Sequence, residues 1–225
     1  IGLASRQIGS HNTGAGMTGK HDGHLGAVYD AQTPEDVAAL YDGWAETYDA
    51  EMSVAGYRHP SVALSLLTRF LPKGETPLLD AGAGTGLMGE WLGIVGYPQV
   101  DGLDISEGML ARAAQKGHYR ALHKLALGGI LPFEDEAYAG IVSTGVFTTG
   151  HVGAEALDEL IRICAIGGVI VITVKDTLWN GGFQLRIDEM VGNGQIEMLD
   201  ETAPYASMPG EVGTIPSRAI AFSVL

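Results

Sequence analysis

One cysteine, Cys164, in 225 residues excludes an internal disulfide and any site built from paired thiolates. Basic residues are scarce too. Thirteen Lys and Arg against 27 Asp and Glu leave a formal net charge of −14, a field that opposes a nucleic-acid backbone unless cations cluster locally. Arg112, Lys116, Arg120 and Lys124 come nearest to a cluster, and their spacing of four is that of a solvated helix face. No apolar run approaches the roughly 20 residues that span a bilayer, and the opening residues 1–20 are polar and glycine-rich, unlike a secretory leader. The seven histidines lack metal-ligand spacing; His118 and His123 are five apart, off a shared helical face. These absences leave a chain expected to be cytoplasmic, with no metal and no nucleic-acid or membrane partner, as a monomer or homodimer. The 46% hydrophobic and 18% charged residues suit a single globular domain.

Residues 1–24 show no periodicity and are read as a flexible lead, leaving 25–225 as one domain: a helical cap at 25–74 and a Rossmann-like core at 75–225. Thr33-Pro34-Glu35-Asp36 has the hydroxyl cap, early proline and acidic first turn of a helix start. Val37, Leu40, Tyr41, Trp44 and Tyr48 then recur on one side. A second helix follows His59-Pro60 and closes at Pro72-Lys73-Gly74. From residue 77 short apolar runs at 77–81, 99–104, 121–127, 139–145 and 168–174 alternate with helical stretches at 85–95, 106–117 and 153–165, the pattern of a parallel sheet. A helix near 182–192 and runs at 195–200 and 218–224 complete an α/β chain of seven strands, mostly parallel, with an antiparallel pair at one edge. Cys164 falls on the apolar stripe of the third of those helices, as a small buried hydrophobe.

Leu78-Leu79-Asp80-Ala81-Gly82-Ala83-Gly84-Thr85-Gly86 is an apolar strand that ends in an acid and turns through three glycines into a helix. Such a turn brings backbone N–H groups close to a nucleoside cofactor. Gly84 to Gly89 also satisfies the dinucleotide fingerprint, so the glycines fit both a nicotinamide and a sulfonium cofactor. Asp104, 24 residues beyond Asp80, closes the next strand, where a carboxylate can accept both ribose hydroxyls. Two acids around the loop repel a pyrophosphate and suit a cationic, phosphate-free nucleoside.

With these motifs in order, residues 27–225 resemble a small class I S-adenosylmethionine-dependent methyltransferase, close to the methyltransferase-like proteins related to the one encoded in the Williams–Beuren region. The matching segments are Val28 to Ala31, Tyr41 to Asp49, Asp80 to Gly86, Asp104 to Leu110, Leu131 to Asp135 and Gly145 to Val152. The resemblance implies that Gly82, Gly84 and Gly145 line the methionine end of the cofactor and Asp80 orients its amine. It implies further that Asp104 holds the ribose, and that Ile105 and Met109 sandwich the adenine. Tyr41, Trp44 and Tyr48 close over the sulfonium. Ala126 replaces the Asp that many relatives offer to the adenine amine, which leaves backbone near Ala126 and Leu127. Thr149 stands where related loops often carry a histidine, so no base is inherited from the family; where the reaction uses one, His151 is the candidate by its place in the loop after the fourth strand, with Tyr48 as the second candidate catalytic residue. Ser143 to Phe147 lacks the Pro-Pro-aromatic pattern of nucleic-acid amino-methylases. The expectation is methyl transfer from S-adenosyl-L-methionine to a small molecule, with S-adenosyl-L-homocysteine as product. An NAD(P)-dependent oxidoreductase and a non-catalytic cofactor-binding module are the competing readings.

Overall fold

Ser106 accepts the backbone N–H of Met109, and Thr33 that of Asp36, so two helices begin at hydroxyl caps. This computed structural model describes residues 33–148 and 152–225, together with His24, Gly26, Ala27 and Ala31. Among the described residues three helices form the cap: α1 (Pro34–Trp44), α2 (Tyr48–Ala55) and α3 (His59–Phe70). The core follows as β1 (Leu78–Ala81), α4 (Leu87–Val95), β2 (Val100–Asp104), α5 (Glu107–Lys116), β3 (Ala121–Lys124), β4 (Tyr138–Phe147), α6 (Ala156–Ile163) and β5 (Cys164–Lys175). A short turn α7 (Asp176–Leu178) and a π-helical turn (Trp179–Phe183) lead into α8 (Gln184–Gly192). β6 (Ile196–Glu201) and β7 (Ser217–Val224) end the chain.

The seven strands lie in the order β3-β2-β1-β4-β5-β7-β6. β1 to β5 run parallel, while β7 pairs antiparallel with β5 and with β6. The order reverses beside β1, which opens a crevice at the carboxyl ends of β1, β2 and β4. Both faces of the sheet are covered. Ile141, Ile170, Ile172 and Phe222 pack toward α6 and α8, and Leu78, Val142, Val171 and Ala221 toward α3 and α4. Burial on both sides explains why the central strands read as unbroken apolar runs.

Four expectations need correction. The first cap helix does not carry through to Tyr48: it ends at Trp44, and a separate α2 begins at Tyr48 and stops at Gly56, which has φ 68. β3 ends at Lys124: the Leu125 N–H makes the last ladder bond, to the Asp104 carbonyl at 3.0 Å, and residues 125–127 then border the crevice. Cys164 opens β5 instead of lying inside α6, although it is buried, and burial pushes its thiol up to about 12. The basic residues 112–124 do not share one solvated helix face: Arg112 and Lys116, on α5, face Glu46 and Asp49, while Arg120, before β3, and Lys124, on β3, face Asp101 and Glu107.

The cap is latched to the core by two carboxylates. Asp42 Oδ1 accepts from Ser106 Oγ at 2.6 Å and Gly108 N–H at 2.8 Å, while Asp49 pairs with Thr85 of the glycine turn and with Lys116. Those bonds hold the Asp42 carboxyl below its ordinary range, so its contribution is present above the unfolded value near pH 4 and fades as pH falls through the folded one. Asp42→Ala is therefore expected to speed amide exchange across residues 33–56 severalfold while β1, β4 and β5 keep their protection, as mass-resolved hydrogen exchange would show.

Candidate active site

The turn after β1 is fixed by its neighbours. Gly82 and Ala83 donate to the Leu103 carbonyl at 2.8 and 2.9 Å, and Gly84 donates to Asp104 Oδ2 at 2.9 Å. The other carboxylate oxygen of Asp104 accepts the Ser106 N–H at 2.9 Å. One acid thus ties the glycine turn to the start of α5, and its remaining lone pairs face the crevice. Burial raises the Asp104 carboxyl, while the bonds from Ser106 and Gly84 oppose that rise.

Beside it lies a cavity of about 360 Å³. Tyr41, Tyr48, Gly82, Gly84, Asp104, Ile105, Met109, Ala126, Leu127 and Gly145 all border it, brought there from the cap, β1, β2, α5, the segment after β3, and β4. Thr33, Pro34, Val37, Tyr57, Leu103, Leu125, Thr144, Val146 and Val152, to which the sequence assigns no site role, complete its described wall. Among the described lining residues Asp104 is the single charged one. A Cβ at Gly84 would meet no atom within 4 Å, so the turn leaves open space for a ligand there.

Two expected residues stand elsewhere. Asp80 does not border the cavity: it is fully buried behind the turn, where Tyr119 donates to Oδ2 at 2.6 Å and Oδ1 has no partner. Desolvation lifts its carboxyl to about 7, against the Tyr119 bond and with help from the Asp104 charge. Trp44 lies behind Tyr41 and Tyr48, with ring centroids at 5.9 and 4.8 Å, and donates Nε1–H to Glu51 at 2.9 Å. It borders a smaller chamber of about 40 Å³, which Met52, Tyr57, His59, Thr148, Lys175, Ser207 and Met208 also line. His151 and Thr149 fall outside the described residues. Tyr48 is the reachable member of the candidate catalytic pair; burial, then Tyr57, raise its phenol well above the ordinary value, so it stays protonated at neutral pH.

The Asp80 carboxyl gives a test of its own. Between about pH 4 and 7 the folded chain keeps a proton there that the unfolded chain has released, so stability falls as pH rises across that window. A shift of that size bounds the loss at about 4 kcal/mol. Asp80→Asn is expected to flatten the pH dependence of the denaturation midpoint between pH 5 and 7.

Comparison with known proteins agrees with this geometry. Residues 79–172 match the methyltransferase domain family. Methyltransferase-like protein 27 of Homo sapiens is 33% identical over 139 residues, covering 60% of this chain and 56% of the human protein. Demethylmenaquinone methyltransferase of Clavibacter sepedonicus is 29% identical over 145 residues, covering 63% and 59%. The chain thus spans less than two thirds of the length of these curated relatives. Among solved structures, a TehB-like S-adenosylmethionine-dependent methyltransferase from Corynebacterium glutamicum superposes with TM-score 0.60 at 20% identity over 83% of this chain and 99% of that one. The [4+2]-cyclase SpnF superposes with TM-score 0.63 at 17% identity over 86% and 97%, so the shared fold alone does not name a reaction. Residues 79–172, from β1 into β5, are thus similar to a methyltransferase domain, and the chain shares its fold with these solved structures.

Proposed function

We propose that this protein transfers a methyl group from S-adenosylmethionine to a small-molecule acceptor. The observation that carries the reading is the wall of the larger cavity: one carboxylate, aromatic rings and apolar side chains, with no cation among its described residues. A pyrophosphate has no counter-charge there, whereas a cationic nucleoside meets Asp104 and three tyrosine rings. The residues fit the cofactor at two further points, the open space at Gly84 and the unpartnered, buried Asp80 Oδ1 behind the turn. Asp104 would hold the ribose diol, Ile105 and Met109 would pack on the adenine, and Asp80 would act on the amine through the turn or a water. When bound, the cofactor supplies a methyl group on a sulfonium, a centre already activated for displacement.

The protein's own contribution is then orientation and exclusion of water, the work of the α1–α2 cap over the crevice. The small combined space under that cap supports a small acceptor over a polymer. No described helix is long and apolar enough to cross a membrane, which is compatible with a cytoplasmic enzyme. Calorimetric titration tests the cofactor: S-adenosylmethionine and S-adenosylhomocysteine are expected to bind one per chain and NAD(P)H not at all. The opposite selectivity would replace this reading with the oxidoreductase one.

A further inference from the structure

Tyr41, Tyr48, Tyr57 and Gly145 border both cavities, so the smaller chamber adjoins the larger at those residues. Its volume of about 40 Å³ admits roughly three water-sized spheres, the bulk of one carboxylate group and not of a ring. Its wall carries buried polar groups among apolar ones. Lys175, at the carboxyl end of β5, is 6% exposed and donates Nζ–H to the Ile215 carbonyl at 3.2 Å. Burial draws its ammonium down to about 8, which leaves it charged at pH 7. His59, 4% exposed, sits with Nδ1 2.7 Å from the Tyr205 hydroxyl; burial and then the Lys175 charge lower it to about 3, so the ring is neutral. Ser207 is fully buried, and its carbonyl takes the Arg58 N–H at 2.9 Å while its Oγ has no partner. No Asp or Glu stands among the described residues of this wall.

We propose, resting on the reading that the larger cavity holds the methyl donor, that the chamber receives the acceptor's reacting group as an anionic oxygen, a carboxylate or an ionised hydroxyl. Lys175 supplies the counter-charge, and the Ser207 hydroxyl and His59 ring supply neutral hydrogen-bond partners. In a desolvated chamber an anion complements the ammonium and occupies the unused hydroxyl. A protonated amine would meet like charge and leave that hydroxyl unsatisfied, which discriminates against cationic acceptors.

Acetate and methylammonium, titrated at millimolar concentration into the full chain with and without S-adenosylhomocysteine, distinguish the two signs. The readout is the His59 imidazole ¹⁵N resonances, assigned by their loss in His59→Gln. Acetate is expected to shift them saturably and methylammonium to leave them unmoved. Lys175→Met should weaken acetate about tenfold or more, the loss of one charge-assisted contact. This variant keeps the stem but gives up the bond to the Ile215 carbonyl, so circular dichroism and melting are read alongside to separate lost binding from lost fold. Ser207→Ala should weaken acetate less, severalfold. A response to methylammonium, acetate affinity unchanged in both variants, or a His59 ring that answers to neither probe would overturn the proposal. Should S-adenosylhomocysteine fail to bind, the proposed function falls, while acetate titrated alone still decides the charge preference of the chamber.

Discussion

Asp104→Ala is expected to lower the affinity for S-adenosylhomocysteine about 100-fold, equal to about 2.7 kcal/mol. Two losses combine. The carboxylate accepts the backbone N–H groups of Gly84 and Ser106, so its removal frees the glycine turn from β2 and leaves two donors without their partner. It also removes the oxygens proposed for the ribose hydroxyls, where each charge-assisted bond is worth about 1.5–3 kcal/mol. Asp104→Asn should fall almost as far, because its amide turns an N–H toward one of those two backbone donors. Circular dichroism and melting separate lost binding from lost fold. Affinity unchanged in a folded Asp104→Ala protein would mean that the ribose lies elsewhere.

Gly82→Ala is expected to destabilise the fold strongly. The residue has φ 93, and an added Cβ would overlap Val146 Cγ2. Left-handed backbone costs a residue with a Cβ about 1–2 kcal/mol, and overpacking adds about 1–3 kcal/mol. Their sum is a large share of the roughly 5–15 kcal/mol that holds a typical domain folded. Val146→Ala isolates the steric part, since the remaining Val146 Cβ would lie 3.5 Å away, at ordinary contact distance. The double variant should therefore recover the packing loss and keep the backbone strain, a favourable coupling in a double-mutant cycle read by denaturant unfolding. Strictly additive effects would show that Val146 is not the obstacle.

Much of this architecture was legible because sheet and helix impose different periods. The alternation of apolar runs and amphipathic stretches after residue 77 located all seven strands, and the antiparallel edge followed from two runs after the last helix. Asp104, Ile105 and Met109 were legible because the end of the second strand and the helix after it meet the crevice wherever such a sheet changes direction. The burial of Asp80 was not legible, because strand ends share an edge but not a direction: its side chain turns beneath the glycine loop toward Tyr119. Trp44 misled because the break at residues 45–47 ends the helical phase, and the ring rotates behind Tyr41 and Tyr48.

His59 and Ser207 left no local mark, since they reach the crevice only through the packing of α3 and of the segment before β7. Lys175 did carry a signal. A cation directly after the apolar run Val169 to Val174, at the carboxyl end of a central strand, is a charge placed where such sheets hold ligands.

A crystal structure of the protein grown with S-adenosylhomocysteine bears most directly on the central claim. The ribose is expected against Asp104 and the sulfur beside Tyr48 and Gly145, facing the chamber that Lys175 and His59 line. A cavity that stays closed to the nucleoside, or one that takes up a dinucleotide with its pyrophosphate on the glycine turn, would contradict it.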